Sequence, residues 1–227
     1  MVFALLIIGC SKDPILNPEI GTFTDSQDNH VYQWVRISGQ IWMAENLAYL
    51  PSVSPSSAKS ETSYYFYVYG YEGTSISEAK NLTNYSIYGV LYNWPAAMNG
   101  AFSSTMNPSG IQGICPSGWH LPSDAEWTAL IAYLGRSAGS KMKETGINHW
   151  TSPNSGATNA SGFTALPGGY RGLNRRFNNL DDIALFWAAS EYDALRARYC
   201  SLRYYTESVH RDFSNKSRGF SVRCVKD

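Results

Sequence analysis

Apolar and polar positions change period along this chain at a few punctuated places, and each change predicts an element. Met1 to Gly9 is wholly apolar and is followed by Cys10 and the polar run Ser11-Lys12-Asp13-Pro14. As a helix that run would reach about 14 Å against a hydrocarbon core of about 30 Å, so it reads as the apolar region of an export signal rather than a span. Val31 to Ile37 and Gln40 to Met43 are β-like runs separated by Ser38-Gly39, the length and composition of a two-residue hairpin. Pro51 to Ser63 is rich in Ser and Pro and reads as a loop. After it, Tyr64 to Tyr71 is a strand candidate that would place Tyr65, Tyr67, Tyr69 and Tyr71 on one face. Such a row can stack on sugar rings, but a packed sheet face with phenolic oxygens at its rim is the simpler expectation.

Two short helices are predicted. Leu91 to Gly100 has Pro95 where a first helical turn accepts it and Gly100 where a helix ends. Beyond Pro122, Ser123 and Glu126 have the spacing of a capping box, and Leu121 stands where it can staple onto Trp127. Trp127, Leu130, Ile131 and Leu134 then recur as one apolar stripe, with Gly135 as a left-handed cap. From Phe163 the pattern changes to short β-like runs punctuated by Gly, Asn and Asp: 163–166, 185–187, 196–205, 209–213 and 219–225. The chain is therefore expected to end in antiparallel sheet.

Composition narrows the class. Eighteen acidic and eighteen basic residues balance, which gives no general attraction to nucleic acid. Sixteen Tyr, seven Trp and nineteen Gly favour a strand- and loop-rich extracytoplasmic protein over a helical enzyme. About 210 residues beyond the leader are enough for one domain with a sizeable core. Leu6-Ile7-Ile8-Gly9-Cys10 resembles the bacterial lipobox, which makes Cys10 the expected lipid anchor and first mature residue. Residues 1–9 are then the signal peptide and 10–20 a lipidated linker. Ser11 after the cysteine fits transport to an outer membrane. With Cys10 set aside, Cys115, Cys200 and Cys224 allow one bridge and one free thiol.

Gly113-Ile114-Cys115-Pro116-Ser117-Gly118-Trp119-His120-Leu121-Pro122-Ser123-Asp124-Ala125-Glu126-Trp127 resembles a motif of the Fibrobacter succinogenes major paralogous domain, found in many bacterial lipoproteins. Gly39 to Leu47, Leu91 to Gly100, Gly162 to Arg171 and Gly219 to Val225 are similar to its other motifs, in order, so that the resemblance spans about residues 21–227. It implies an α+β, C-type lectin-like fold in the version used by formylglycine-generating enzymes, with irregular antiparallel strands, two short helices and long loops. It also implies a Cys115–Cys224 bridge. Cys200 departs from the family pattern and is expected as a small buried hydrophobe.

Those oxidases hold copper on a pair of nearby cysteines, and after the implied bridge only Cys200 is left, so the resemblance argues against that activity. His30, His120, His149 and His210 fall in no nucleophile motif. His120, between Trp119 and the capped helix, is expected to satisfy backbone groups rather than to catalyse. No zinc spacing or EF-hand ladder is present, Asn178 to Asp182 reads as a turn, and no metal or cofactor is expected. The expectation is a non-catalytic envelope lipoprotein, held to the membrane by its lipid, that binds a glycan or an envelope protein. A structural scaffold without a small ligand is the alternative, and an enzyme related to the formylglycine-generating oxidases is the third reading. Tyr170, Arg171, Trp187, Glu191 and Arg198 are the candidate ligand-binding residues, because they combine aromatic faces with planar charge.

Overall fold

The computed structural model describes residues 18–227, so the signal of residues 1–9 and the expected lipid anchor Cys10 lie outside the described residues. β1 (Ile20–Thr24) and β2 (Val31–Ile37) are antiparallel, and β2 turns back into β3 (Gln40–Met43) with Ile37 opposite Gln40. Ser38 and Gly39 both have positive φ, 50° and 82°, as a type I′ turn requires to match the strand twist. The two faces of β2 feed two different cores: Tyr32 enters one, Val35 and Ile37 the other.

The tyrosine run forms only the two-residue β4 (Phe66–Tyr67). Gly70, at φ 82°, lets the chain turn back, and the Tyr71 amide donates to the Val68 carbonyl at 3.0 Å. The four tyrosines therefore do not line up on one face: Tyr65 stacks on Tyr67, Tyr69 packs against Phe177, and Tyr71 donates to Glu78. Two one-turn helices follow, α1 (Ile76–Lys80), capped by Ser75, and α2 (Thr83–Tyr88). In the predicted helix at Leu91 to Gly100, Leu91–Tyr92 pairs with β4 as β5, and α3 (Trp94–Met98) begins at Asn93, whose side chain accepts from the Ala96 amide.

β6 (Trp119–His120) leads into α4 (Asp124–Leu134), where the capping box is complete. Trp127, Leu130 and Leu134 are buried as their spacing predicts. The Leu121–Trp127 staple does not form, because the two side chains are buried in separate core clusters. Gly135 ends the helix at φ 76°, ψ −154°, outside the left-handed helical region expected but in one that only glycine enters readily. After α5 (Ala138–Met142), β7 (Tyr170–Arg171) pairs with β8 (Phe177–Asn178). β9 (Ile183–Glu191), β10 (Arg196–Arg203) and β11 (His210–Asn215) form a three-stranded antiparallel sheet. β12 (Val225–Lys226) pairs with both β3 and β6 and completes a five-stranded sheet, β1-β2-β3-β12-β6. The run expected as a strand at 163–166 makes an isolated bridge instead, and of the run at 219–225 the first three residues make isolated bridges while Val225 enters β12.

The architecture is α+β with strands dominant. Five helices occur among the described residues instead of two, because α1, α2 and α5 are single turns too short to leave a periodic signal, and only α4 is longer than six residues. β9 is the wall between the two cores: Leu185, Trp187 and Ala189 enter one, Ala184, Phe186 and Ala188 the other. Cys115 and Cys224 are disulfide-bonded, as the resemblance implies, tying the loop before β6 to the segment before β12 across 109 positions. Cys200 is free and fully buried, filling space in the second core like a small hydrophobe.

Candidate functional site

The five candidates from the sequence do not converge. Trp187, in mid-β9, is 0% exposed; its ring stacks on Phe220 at 4.2 Å and its Nε1 donates to the Tyr92 carbonyl at 2.8 Å, so neither ring face is free. Arg171 is also fully buried, donating to the carbonyls of Ser56, Ser217 and Ala58 at 2.8 to 3.0 Å beneath the Tyr67 ring. It clamps three loop carbonyls to β7. Glu191 pairs with Lys216 at the opposite end of β9 from Ile183, and Arg198 lies over the Tyr192 ring at 4.7 Å. Tyr170, half-buried against Phe220, lines a cleft.

Two hollows are built from distinct elements. The larger, of about 560 Å³, lies between the β2–β3 turn, the loop at Asn107–Gly110 and the ends of β6 and β12. His120 in its wall is 2% exposed, with Nε2 at 2.7 Å from Glu126 Oε1 and Nδ1 at 2.6 Å from Asp227 Oδ1. Its partners are thus two carboxylates, not the backbone groups expected from sequence. Carboxylates accept only, so two such contacts require both ring nitrogens to donate, which is the imidazolium. Burial alone would depress the His120 pKa, but hydrogen bonds and charge from Glu126 and Asp227 outweigh burial and raise it above the ordinary 6.5. The other oxygen of Glu126 accepts from the Ser109 and Ser123 amides at 3.0 and 2.9 Å, and Gln40 reaches Oε1 at 3.4 Å. The capping residue of α4 therefore also anchors the buried histidine. The Ser123–Glu126 spacing signals the first role, while the second depends on Asp227 and Gln40, far away in sequence.

The second hollow, a cleft of about 410 Å³, lies beside the start of β9 and the end of β10. Its walls are Tyr170, Asn179, Asp182, Arg203, Tyr204 and Tyr205. Tyr204 and Tyr205 stand perpendicular, ring centres 5.1 Å apart, and Tyr205 is 54% exposed. Arg203 Nη1 donates to the Tyr205 hydroxyl at 2.7 Å. Asp182 accepts from the Thr151 hydroxyl at 2.7 Å and from the Asn179 amide at 3.4 Å, and its backbone carbonyl receives the Tyr204 amide at 3.1 Å. Among the described residues no three His, Cys, Asp or Glu side chains converge to hold a metal ion; the two carboxylates at His120 lie on opposite ring nitrogens.

The family model for the Fibrobacter succinogenes major domain matches residues 35–226, from β2 through β12. This chain belongs to that family. No curated protein and no solved structure gives a significant match. In this Fibrobacter succinogenes major domain the motif residues have traceable structural tasks. Arg223 is fully buried and donates to Asn46 Oδ1 and to the carbonyls of Met43, Phe163 and Thr164 at 2.6 to 3.0 Å, joining three motif segments. Asn46 in turn donates to the Tyr88 carbonyl at 2.9 Å.

Proposed function

We propose that this Fibrobacter succinogenes major domain is a non-catalytic binding module of the cell envelope, with a lectin-like fold, tethered to the outer membrane through Cys10 and taking a carbohydrate or a segment of an envelope protein without a cofactor. The observation that carries the reading is the state of His120. Both nitrogens of the one histidine lining the larger cavity are committed to carboxylates, and Glu126 is saturated by amide donors, so neither group is free to move a proton to or from a bound molecule. The Cys115–Cys224 bridge supports an oxidising, extracytoplasmic compartment.

The test is to immobilise the full chain, pass a panel of poly- and oligosaccharides and an envelope extract over it, and assay both retention and new reducing ends. Saturable retention with no new reducing ends is the expected result. Release of product that disappears in His120→Gln would overturn the reading. The scaffold alternative draws on the packing of Arg171 and Trp187, and predicts capture of an envelope protein with no glycan retained. Mass spectrometry of the mature protein should find a diacylated Cys10 at its N-terminus; an intact leader contradicts the tether.

A further inference from the structure

We infer that the cleft between Tyr170 and Tyr205 is a binding site for a neutral pyranose saccharide, an inference that rests on the binding-module reading and gives it a ligand class and a place. A pyranose ring presents an apolar C–H face and a rim of hydroxyls, each both donor and acceptor. A matching site needs an aromatic face for the first and planar polar groups with spare hydrogen-bonding capacity for the second.

The cleft supplies both. Tyr204 and Tyr205 provide aromatic surface from the end of β10, Tyr170 adds a ring from β7 that is packed against Phe220 and lies under the Arg218 guanidinium at 5.6 Å, and at 410 Å³ the cleft is within the usual small-ligand range of about 300–1,000 Å³. The arginine of the cleft uses far less of its hydrogen-bonding capacity than the two buried arginines of the domain. Arg171 and Arg223 each spend three or four donors on carbonyls, which is what a guanidinium held for packing does. Arg203 spends one, on the Tyr205 hydroxyl, and its Nε is buried with no partner. Among the described residues, the hydroxyls of Tyr170 and Tyr204, the other terminal nitrogen of Arg203 and the side-chain oxygen of Asn179 make no hydrogen bond. In the larger cavity, by contrast, His120, Glu126 and Asp227 satisfy one another, and Arg36 pairs with Glu19.

The charge of the cleft selects the ligand. Arg203 and Asp182 cancel, so neither a uronic acid nor an amino sugar is favoured over a neutral hexose. The Arg203–Tyr205 hydrogen bond fixes the exposed ring as a platform before the ligand arrives, which lowers the ordering cost of binding.

Isothermal titration of the full chain with gluco-, manno- and galacto-hexaoses, neutral oligosaccharides of defined length, tests the assignment. Wild type should bind at least one of them saturably. Tyr205→Ala should weaken that binding by about tenfold or more, and Tyr205→Phe, which keeps the ring, by about threefold or less. Gln40→Ala, in the other cavity, should leave it unchanged. Tyr205 is more than half exposed, so its truncation opens no core. Equal affinities for wild type and Tyr205→Ala, or a loss confined to Gln40→Ala, would overturn the cleft while leaving a binding module. No saturable binding of any neutral hexaose would also overturn it, and an envelope protein captured by the same preparation would then show that the broader reading had survived.

Discussion

Among the described residues three cations are buried without a carboxylate against them: Arg171, Arg223 and Lys143. Backbone and amide oxygens take the place of counter-ions, so each ties loop segments to one another or to the end of a strand. Lys143 is the one whose charge is adjustable. Its Nζ donates to the carbonyls of Ser155, Arg203 and Thr206 at 3.0 to 3.2 Å, and burial pulls its pKa down from 10.5 to about 8. Between those values the unfolded chain holds a proton that the native state has released, so this group makes stability rise as pH increases from 8 to 10.5. Lys143→Met should cost about 1–3 kcal/mol near neutrality by leaving carbonyls unpaired. The gap to wild type in urea unfolding should widen from pH 8 to 10.5, and a gap that narrows would contradict the burial argument. For His120 the sign is opposite. Its raised pKa gives stability that is fully present below pH 6.5, the unfolded value, and is lost as pH climbs through the folded one. Asp227→Asn removes one of the two carboxylates and should lower the imidazole pKa measured by NMR titration; an unchanged or higher value would show that Asp227 does not hold the charge. That His120 is hydrogen-bonded was legible from its place between Trp119 and the capped helix. Its charge was not, because the partner that completes it lies 107 positions away.

At the scale of elements, local chemistry was readable and distant pairing was not. Ser38-Gly39 announced the hairpin and Ser123 with Glu126 the start of α4, since each signal is contained within a few residues and each forms. The tyrosine run misled, because alternation describes a strand only if something pairs with its whole length, and here β5 offers two residues before Gly70 turns the chain. β9 was seen only at its apolar centre, and that both its faces are buried follows from cores assembled by segments from β2 to β12. With so many loops between short strands, the Cys115–Cys224 bridge has a long loop to close. In the chain-entropy model a closure of 109 positions stabilises by about 4–5 kcal/mol. Urea unfolding with and without reductant should differ by that order, and coincident curves would contradict it. Cys200, buried between the sheet and α4, has its thiol pKa pushed up by burial. Peptide mapping after treatment with a thiol reagent should find Cys200 modified only in denaturant, and labelling of the folded protein would contradict that packing.

For the whole molecule, the buried arginines answer to carbonyls, while the cleft between Tyr170 and Tyr205 gathers several hydrogen-bonding groups without partners among the described residues. Tyr170 was the only one of five candidate residues to reach that cleft. Aromatic and planar side chains are conspicuous in sequence, but Trp187, on a strand buried on both faces, and Arg171, turned inward onto loop carbonyls, show that the same types serve packing. Asn179, Asp182, Arg203 and Tyr205 left no signal, since their proximity depends on the pairing of Ile183 with Arg203 across β9 and β10. On the proposed reading the domain holds a saccharide and does not transform it. An NMR titration of the full chain with a neutral hexaose tests both halves in one sample. The ring resonances of Tyr170, Tyr204 and Tyr205 should shift saturably while the anomeric signals of the sugar keep their number and intensity; new anomeric signals, or ring resonances that do not move, would contradict the account.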